Sequence, residues 1–255
     1  GVANNHSIAW GIAKALAGQG AELAFTFQGE ALGKRVKPLA AELGSDFIVP
    51  CDVEDIASVD ALFEAVRERW GSLDFVVHAI GFSDKNELKG LYADTTRENF
   101  SRTMVISCFS FTEIAKRAAA LMTDGGSMLT LTYNGSQRVI PNYNVMGVAK
   151  AALEASVRYL AADYGPKGIR VNAISAGPVR TLAGAGISDA RAIFSWNQKN
   201  APMRRTPDID DIGGSALYLL SNLSRGVTGE CHYVDGGFNI TSIPTLDVLH
   251  NADSE

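Results

Sequence analysis

Little in this sequence points to metal, disulfide or membrane chemistry. Cysteine is scarce: Cys51, Cys108 and Cys231 are widely spaced, odd in number and form no C-x-x-C pair, which argues against a disulfide framework or a thiolate metal site. The four histidines, His6, His78, His232 and His250, make no i, i+4 pair, so nothing reads as a metal site. No apolar run approaches the ~20 residues that span a bilayer. The first residues lack the charged segment and apolar run of a secretory signal. Positive charge is not in excess either: the formal net charge of −5 gives no support to a nucleic-acid binder that works by counterion release. Repeats, low-complexity tracts and Pro/Ser-rich linkers are missing too. These absences leave a protein with no nucleic-acid or membrane partner, and a reducing cytoplasm as its simplest compartment.

What is present is a globular composition and a strict alternation. The 255 residues are 46% hydrophobic and 20% charged, enough to bury ~70–75% of the unfolded surface in one core. The simplest organisation is a single domain over residues 1–255. Short apolar runs at 22–27, 47–51, 74–79, 127–132, 170–174 and 230–234 show almost no alternation of polarity, which predicts strands buried on both faces of a parallel sheet. Between them, 7–17, 30–43, 58–70, 96–121, 143–164 and 209–220 carry helical spacing. The expected fold is therefore α/β: a single doubly wound Rossmann-type domain with a mostly parallel seven-stranded sheet. Pro38 predicts a kink or break in the second helix. The chain opens at Gly1 with half of a βαβ unit, which predicts that the first strand of the fold lies upstream of this chain.

That opening segment reads as a cofactor turn. Gly1, Ser7 and Gly11 supply small residues for a tight bend, a close backbone approach and close helix–sheet packing, with Ser7 and Ile8 at a helix start suited to a pyrophosphate. It is not a G-x-G-x-x-G, and alone it is a weak signal. Three strand ends add to it. Gln28, a neutral donor and acceptor, stands where an acidic residue often holds the ribose; with no flanking Arg or Lys for a 2′-phosphate, it favours NADH over NADPH. Asp52 and Val53 end the third strand of such a fold, with the Asp52 carboxylate placed for an adenine amino group or for a turn. Ile80 and Gly81 end the fourth. Ligands of open α/β sheets bind outside the carboxyl ends of strands, so Gly1, Gln28, Asp52 and Gly81 fall at one edge.

Tyr133 follows a strand at that same edge, and Tyr143 and Lys150 open the next helix. Seven residues apart, the latter two share a helix face. A lysine cation near a phenol favours phenolate, which predicts a lowered Tyr143 pKa.

These residues carry a resemblance. Tyr-x6-Lys with a further Tyr ten residues upstream is similar to the bacterial NADH-dependent enoyl-acyl-carrier-protein reductases, a divergent branch of the short-chain dehydrogenase/reductase superfamily. Gly1 with Ser7–Ala9, the stretches 78–82, 141–147 and 170–181, and 234–237 match in the same order. In an ordinary short-chain dehydrogenase a Tyr stands four residues before the Lys, with a Ser thirteen before that Tyr. Here those positions hold Met146 and Tyr133, which speaks against a ketoreductase; both catalytic residues being present speaks against a silent dinucleotide-binding regulator. The resemblance implies hydride transfer from NADH to a trans-2-enoyl thioester, the last reductive step of fatty-acid elongation. It implies catalytic roles for Tyr133, Tyr143 and Lys150, with Tyr143 donating to the thioester oxygen and Lys150 holding the nicotinamide ribose and tuning Tyr143. Val179 and Thr181 would meet the nicotinamide amide or pyrophosphate. Tyr133, Tyr143, Met146, Ala183, Ile187 and Phe194 would face substrate, the last three in a loop at about 181–202 able to close over an acyl chain. It also implies an acyl carrier protein as partner and a homotetramer built on the helical stretches 96–121 and 143–164. Arg191, Arg204 and Arg205 are the cations available to an acidic carrier; Ser188 and Ala192 leave that face less basic than in many relatives.

Overall fold

The computed structural model describes residues 1–181, 190–244 and 248. Strands β1 (Phe25–Phe27), β2 (Ile48–Pro50), β3 (Phe75–His78), β4 (Gly126–Thr132), β5 (Ile169–Ala176) and β6 (Cys231–Val234) alternate with helices. The helices are α1 (Ile8–Ala17), α2 (Gly29–Glu42), α3 (Ile56–Trp70), α4 (Arg97–Met104), α5 (Ser110–Ala119), α6 (Asn144–Tyr164), α7 (Ala190–Asn200) and α8 (Ile209–Leu220). Every strand pair is parallel. The expected α/β, mostly parallel arrangement is what the described residues form: six strands make two sheets, β1–β2 and β3–β4–β5–β6. Gly1 lies between them. Its nitrogen donates to the Ala79 carbonyl just beyond β3, and a Cβ built on it would stand 3.8 Å from the Thr26 oxygen of β1.

Period-two alternation sorts the buried side chains onto two layers. From β4 and β5, Met128, Ile169, Val171 and Ala173 pack with Phe63 of α3, Phe111 of α5 and Leu153 of α6. Leu129, Ile174 and Ala176 face the other way, onto Ile12 and Leu16 of α1 and Ile212 and Leu219 of α8. Helices thus cover both faces, which is why these strands read as unbroken apolar runs. A third cluster seats α1 and α2 on β1 through Trp10, Phe25 and Val36.

Three local expectations change. Pro38 sits inside an uninterrupted α2; the residue is exposed, so water can satisfy the carbonyl that its missing N–H abandons. The stretch 96–121 is helical but not uniformly α: a π-helical segment, Val105–Phe109, joins α4 to α5 without a break, and the Ser110 hydroxyl just after it donates to the Ile106 carbonyl at 2.7 Å. Gly11 meets a helix rather than the sheet: a Cβ there would lie 2.2 Å from the Ile209 carbonyl oxygen of α8, and no side chain larger than hydrogen fits.

Candidate active site

Parallel pairing brings the carboxyl ends of β3, β4, β5 and β6 to one edge. Gly81, three residues past β3, lies at this edge. A Cβ built on Gly81 would stand 3.6 Å from Met146 Cε, 3.8 Å from Ser107 Oγ and 3.9 Å from Lys150 Nζ. Ser107 belongs to the π-helical segment; its hydroxyl donates to the Phe82 carbonyl and accepts from the Phe82 N–H, both at 2.9 Å. A π segment is a recurrent feature of functional sites, and here it clamps the backbone after Gly81.

Tyr143 does not lie within α6 but caps its N-terminus. The residues on either side, Asn142 and Asn144, have positive φ of 58° and 32°, a conformation disfavoured for side chains beyond Cβ and held only where surroundings enforce it. The Asn144 amide supplies part of that hold by donating to the Glu87 and Gly90 carbonyls, at 3.4 and 3.3 Å. The Tyr143 ring packs on glycine: a Cβ at Gly135 would fall 2.5 Å from its Cδ1. The Tyr133 ring stands edge-on to it, centroids 5.2 Å apart.

The expected tuning of Tyr143 by Lys150 is corrected by this geometry. Burial raises the Tyr143 pKa above its ordinary value, and the neighbouring Tyr133 raises it further. Burial, then the charge of Asp235, pushes Tyr133 up to about 12. Both phenols are therefore protonated donors at neutral pH, not phenolates. Lys150 Nζ instead donates to the Leu131 carbonyl at 2.8 Å. Burial brings Lys150 down to about 8, against the opposing pull of Cys108 and Glu154. His78 is buried with its ring nitrogens 3.0 Å from Thr130 Oγ1 and 2.8 Å from Ser110 Oγ. Burial, then Lys150, drops it to about 3, so it is a neutral spacer of the core.

The cofactor candidates lie on the same edge in graded states of engagement. Ser7 makes no side-chain cap to α1; its hydroxyl accepts from the Ala3 and Asn4 N–H groups at 3.0 and 3.1 Å and folds the turn. The first turn of α1, starting at Ile8, carries no acidic residue. Its N-terminus thus suits an anion. Gln28 Nε2 donates to Asp52 Oδ2 at 2.9 Å, so the two predicted contacts touch each other. Val53 and Ile80 turn their side chains into the core, leaving backbone at the edge. Val179 packs on the α1–α8 layer, and the Thr181 N–H donates to its carbonyl at 2.8 Å. In α7, Phe194 lies under the Arg180 guanidinium, 4.6 Å from ring centroid to Cζ. Ala183 and Ile187 fall outside the described residues.

A family model described as enoyl-(acyl carrier protein) reductase matches residues 1–239. The chain belongs to this family. It is 82% identical over 255 residues to enoyl-(acyl-carrier-protein) reductase (NADH) 2 of Rhizobium meliloti (strain 1021), covering 100% of this chain and 95% of that protein. It is 64% identical over 247 residues to reductase 1 of the same strain, covering 97% and 91%. Among solved structures, FabI of Candidatus Liberibacter asiaticus superposes with a TM-score of 0.94 at 64% identity, covering 96% of this chain and 95% of that one. The Anaplasma phagocytophilum reductase, solved in complex with NAD, gives 0.92 at 59% identity, covering 97% and 92%.

Four residues of this site escaped the sequence reading. Glu154 stands one turn after Lys150, and a lone acid on the buried face of a helix was a legible signal. Asn144 lies in the matching stretch 141–147 without a role of its own, and Ser107 and Gly135 had no signal, because each acts across a chain crossing that spacing does not report.

Proposed function

We infer that this chain reduces the C=C bond of trans-2-enoyl thioesters, presented by acyl carrier protein, with NADH as reductant. The observation that carries this reading is a protonated Tyr143 placed one turn before the position, Met146, where a carbonyl reductase keeps its acid, with Lys150 Nζ beside Gly81. When bound, NADH supplies a hydride to the β-carbon. The residues present fit that cofactor: an N-terminus without acid at Ile8, a neutral Gln28–Asp52 pair, and a buried ammonium at Lys150.

The chain's own part follows from charge. As the β-carbon is reduced, negative charge gathers on the thioester oxygen. The Tyr143 hydroxyl donates a hydrogen bond to that oxygen from a water-poor pocket, where one aligned donor is worth about 3 kcal/mol. Tyr133, held edge-on to Tyr143, positions the acyl end. Lys150 donates to the nicotinamide ribose. Gly1, Ser7, Ile8, Asp52, Val53, Ile80, Gly81, Val179 and Thr181 line the rest of the cofactor path. Met146, Ala183, Ile187 and Phe194 face the acyl chain, in a unit that works as one domain with a closing loop at about 181–202. Apolar side chains left exposed on α4 and the π segment (Phe100, Val105, Phe109) and on α6 (Val148, Tyr159) support a homotetramer. Arg205 is already paired with Asp211, which leaves carrier docking to weaker electrostatics. A cytoplasmic location fits this chemistry, and no helix among the described residues is long and apolar enough to cross a membrane.

The test is to follow NADH loss with crotonyl and acetoacetyl thioesters in parallel. Loss with the enoyl thioester alone is expected. Loss with the ketoacyl thioester alone would move the chain to the carbonyl-reducing branch.

A further inference from the structure

One turn beyond Lys150, α6 turns a carboxylate into the core. Glu154 is 5% exposed, and everything around it donates. Thr132 Oγ1, at the end of β4, donates to Glu154 Oε1 at 2.7 Å. Ser136 Oγ donates to the same oxygen at 2.5 Å, and Gln137 Nε2 approaches Oε2 at 3.4 Å. From β6 the Cys231 thiol, pushed up to about 12 by burial and then by nearby acids, feels the Glu154 charge as well. A buried charge costs several kcal/mol unless it is fully paired. Three side-chain donors meeting one carboxylate is therefore a built feature and not a stray surface acid.

What those donors flank is the point. Thr132, Ser136 and Gln137 bracket Tyr133 and Gly135, and Gly135 is the surface on which the Tyr143 ring rests. We propose that Glu154 is a positioning residue for the reduction, its carboxylate gathering the turn that carries Tyr133 and Gly135 onto the helix that carries Lys150. This deepens the functional reading above and rests on it. Glu154 acts through the tyrosines and Lys150 and touches no reacting atom.

A second consequence is electrostatic. Lys150 is faced by Cys108 from the π segment, His78 from β3 and Glu154 from its own helix. Of these, Cys108 and Glu154 oppose the effect of burial, whereas Lys150 itself depresses His78. Around Glu154, Arg158 stands one turn further along α6, and Tyr233 of β6 feels its charge. Removing the carboxylate charge lets burial depress Lys150 further. The ammonium is lost as pH rises through its pKa, so the alkaline limb moves to lower pH.

Glu154→Gln keeps an acceptor oxygen and deletes the charge; Ser136→Ala deletes one arm and keeps the charge. With crotonyl thioester and NADH, Glu154→Gln should move the alkaline limb of kcat/KM to lower pH and reduce kcat several-fold. Ser136→Ala should lower kcat about two- to fivefold, a single hydrogen bond's worth, with the limb in place. NADH titrations across pH should show the same displacement in Kd for Glu154→Gln alone. A Glu154→Gln protein that melts cooperatively yet keeps the wild-type kcat and alkaline limb would overturn the proposal. If the wild type turns over no enoyl thioester, the functional reading fails separately, and the NADH titrations still decide the role of Glu154.

Discussion

The two ends of the candidate site are built on opposite principles. At the Tyr143 end, polar groups are buried and tied from several directions: Lys150 to Leu131, Ser107 to Phe82, Glu154 to Thr132 and Ser136. At the Gln28 end, the exposed Gln28 and the half-buried Asp52 hold each other, and Asp52 holds local backbone. Buried polar groups exert strong fields and tolerate little movement; exposed ones are screened and adaptable. The first end is suited to chemistry, and the second to affinity and the choice between cofactors. The sharpest way to break that contrast is Tyr143→Phe, which keeps the ring on Gly135 and removes only the hydroxyl. Turnover of an enoyl thioester should fall about 10²–10³-fold, in line with the loss of one oxyanion donor. A steady-state kcat within a few-fold of wild type would place the donor elsewhere.

A smaller but more diagnostic effect is expected one contact away. Gly135→Ala adds a single methyl, yet that carbon would fall 2.5 Å from Tyr143 Cδ1 and 2.7 Å from Cε1. Something must shift, and the strained backbone at Asn142 and Asn144 leaves the ring little freedom to do so in register. Overpacking of this kind costs about 1–3 kcal/mol, so kcat should drop about 10- to 100-fold, with a lower melting temperature. Alanine at Gly81, where the nearest atoms are at ordinary contact distance, is the control that separates crowding of Tyr143 from crowding in general. Equal losses of stability in the two variants would remove the distinction.

The contrast also explains what was legible in the sequence. The parallel α/β order was readable because Met128 and Leu129, or Ala173 and Ile174, are apolar on successive positions and can only be buried on both faces. The edge was readable because strand ends in such folds converge, whichever residues occupy them. Tyr143 and Lys150 were readable from spacing. Their coupling was misread, because spacing along a helix says which face a residue is on and not what its terminal atom reaches. Lys150 reaches a strand carbonyl, and Tyr143 sits in the cap before the helix begins. The change of winding at Val105–Phe109 was hidden because a π segment needs no proline or glycine. It rests on hydroxyls, Ser107 and Ser110, whose partners lie on other turns or other segments.

The smallest effect should come from the exposed end. Gln28→Ala removes the donor to Asp52 and leaves α2, which takes no side-chain cap from Gln28, otherwise intact. One exposed hydrogen bond contributes about 0.5–1.5 kcal/mol, so the Kd for NADH should rise about two- to tenfold, read by fluorescence titration. The more informative number is the NADPH to NADH ratio. With Gln28 gone, the Asp52 carboxylate keeps the Glu54 N–H but loses the Gln28 donor and stands more open to a 2′-phosphate, so NADPH should suffer more than NADH. Gln28→Arg reverses the sign: it offers the phosphate a cation and Asp52 a stronger partner. If Gln28→Ala instead lowers kcat as much as Gly135→Ala does, the two ends are coupled, and the division between a chemical end and an affinity end does not hold.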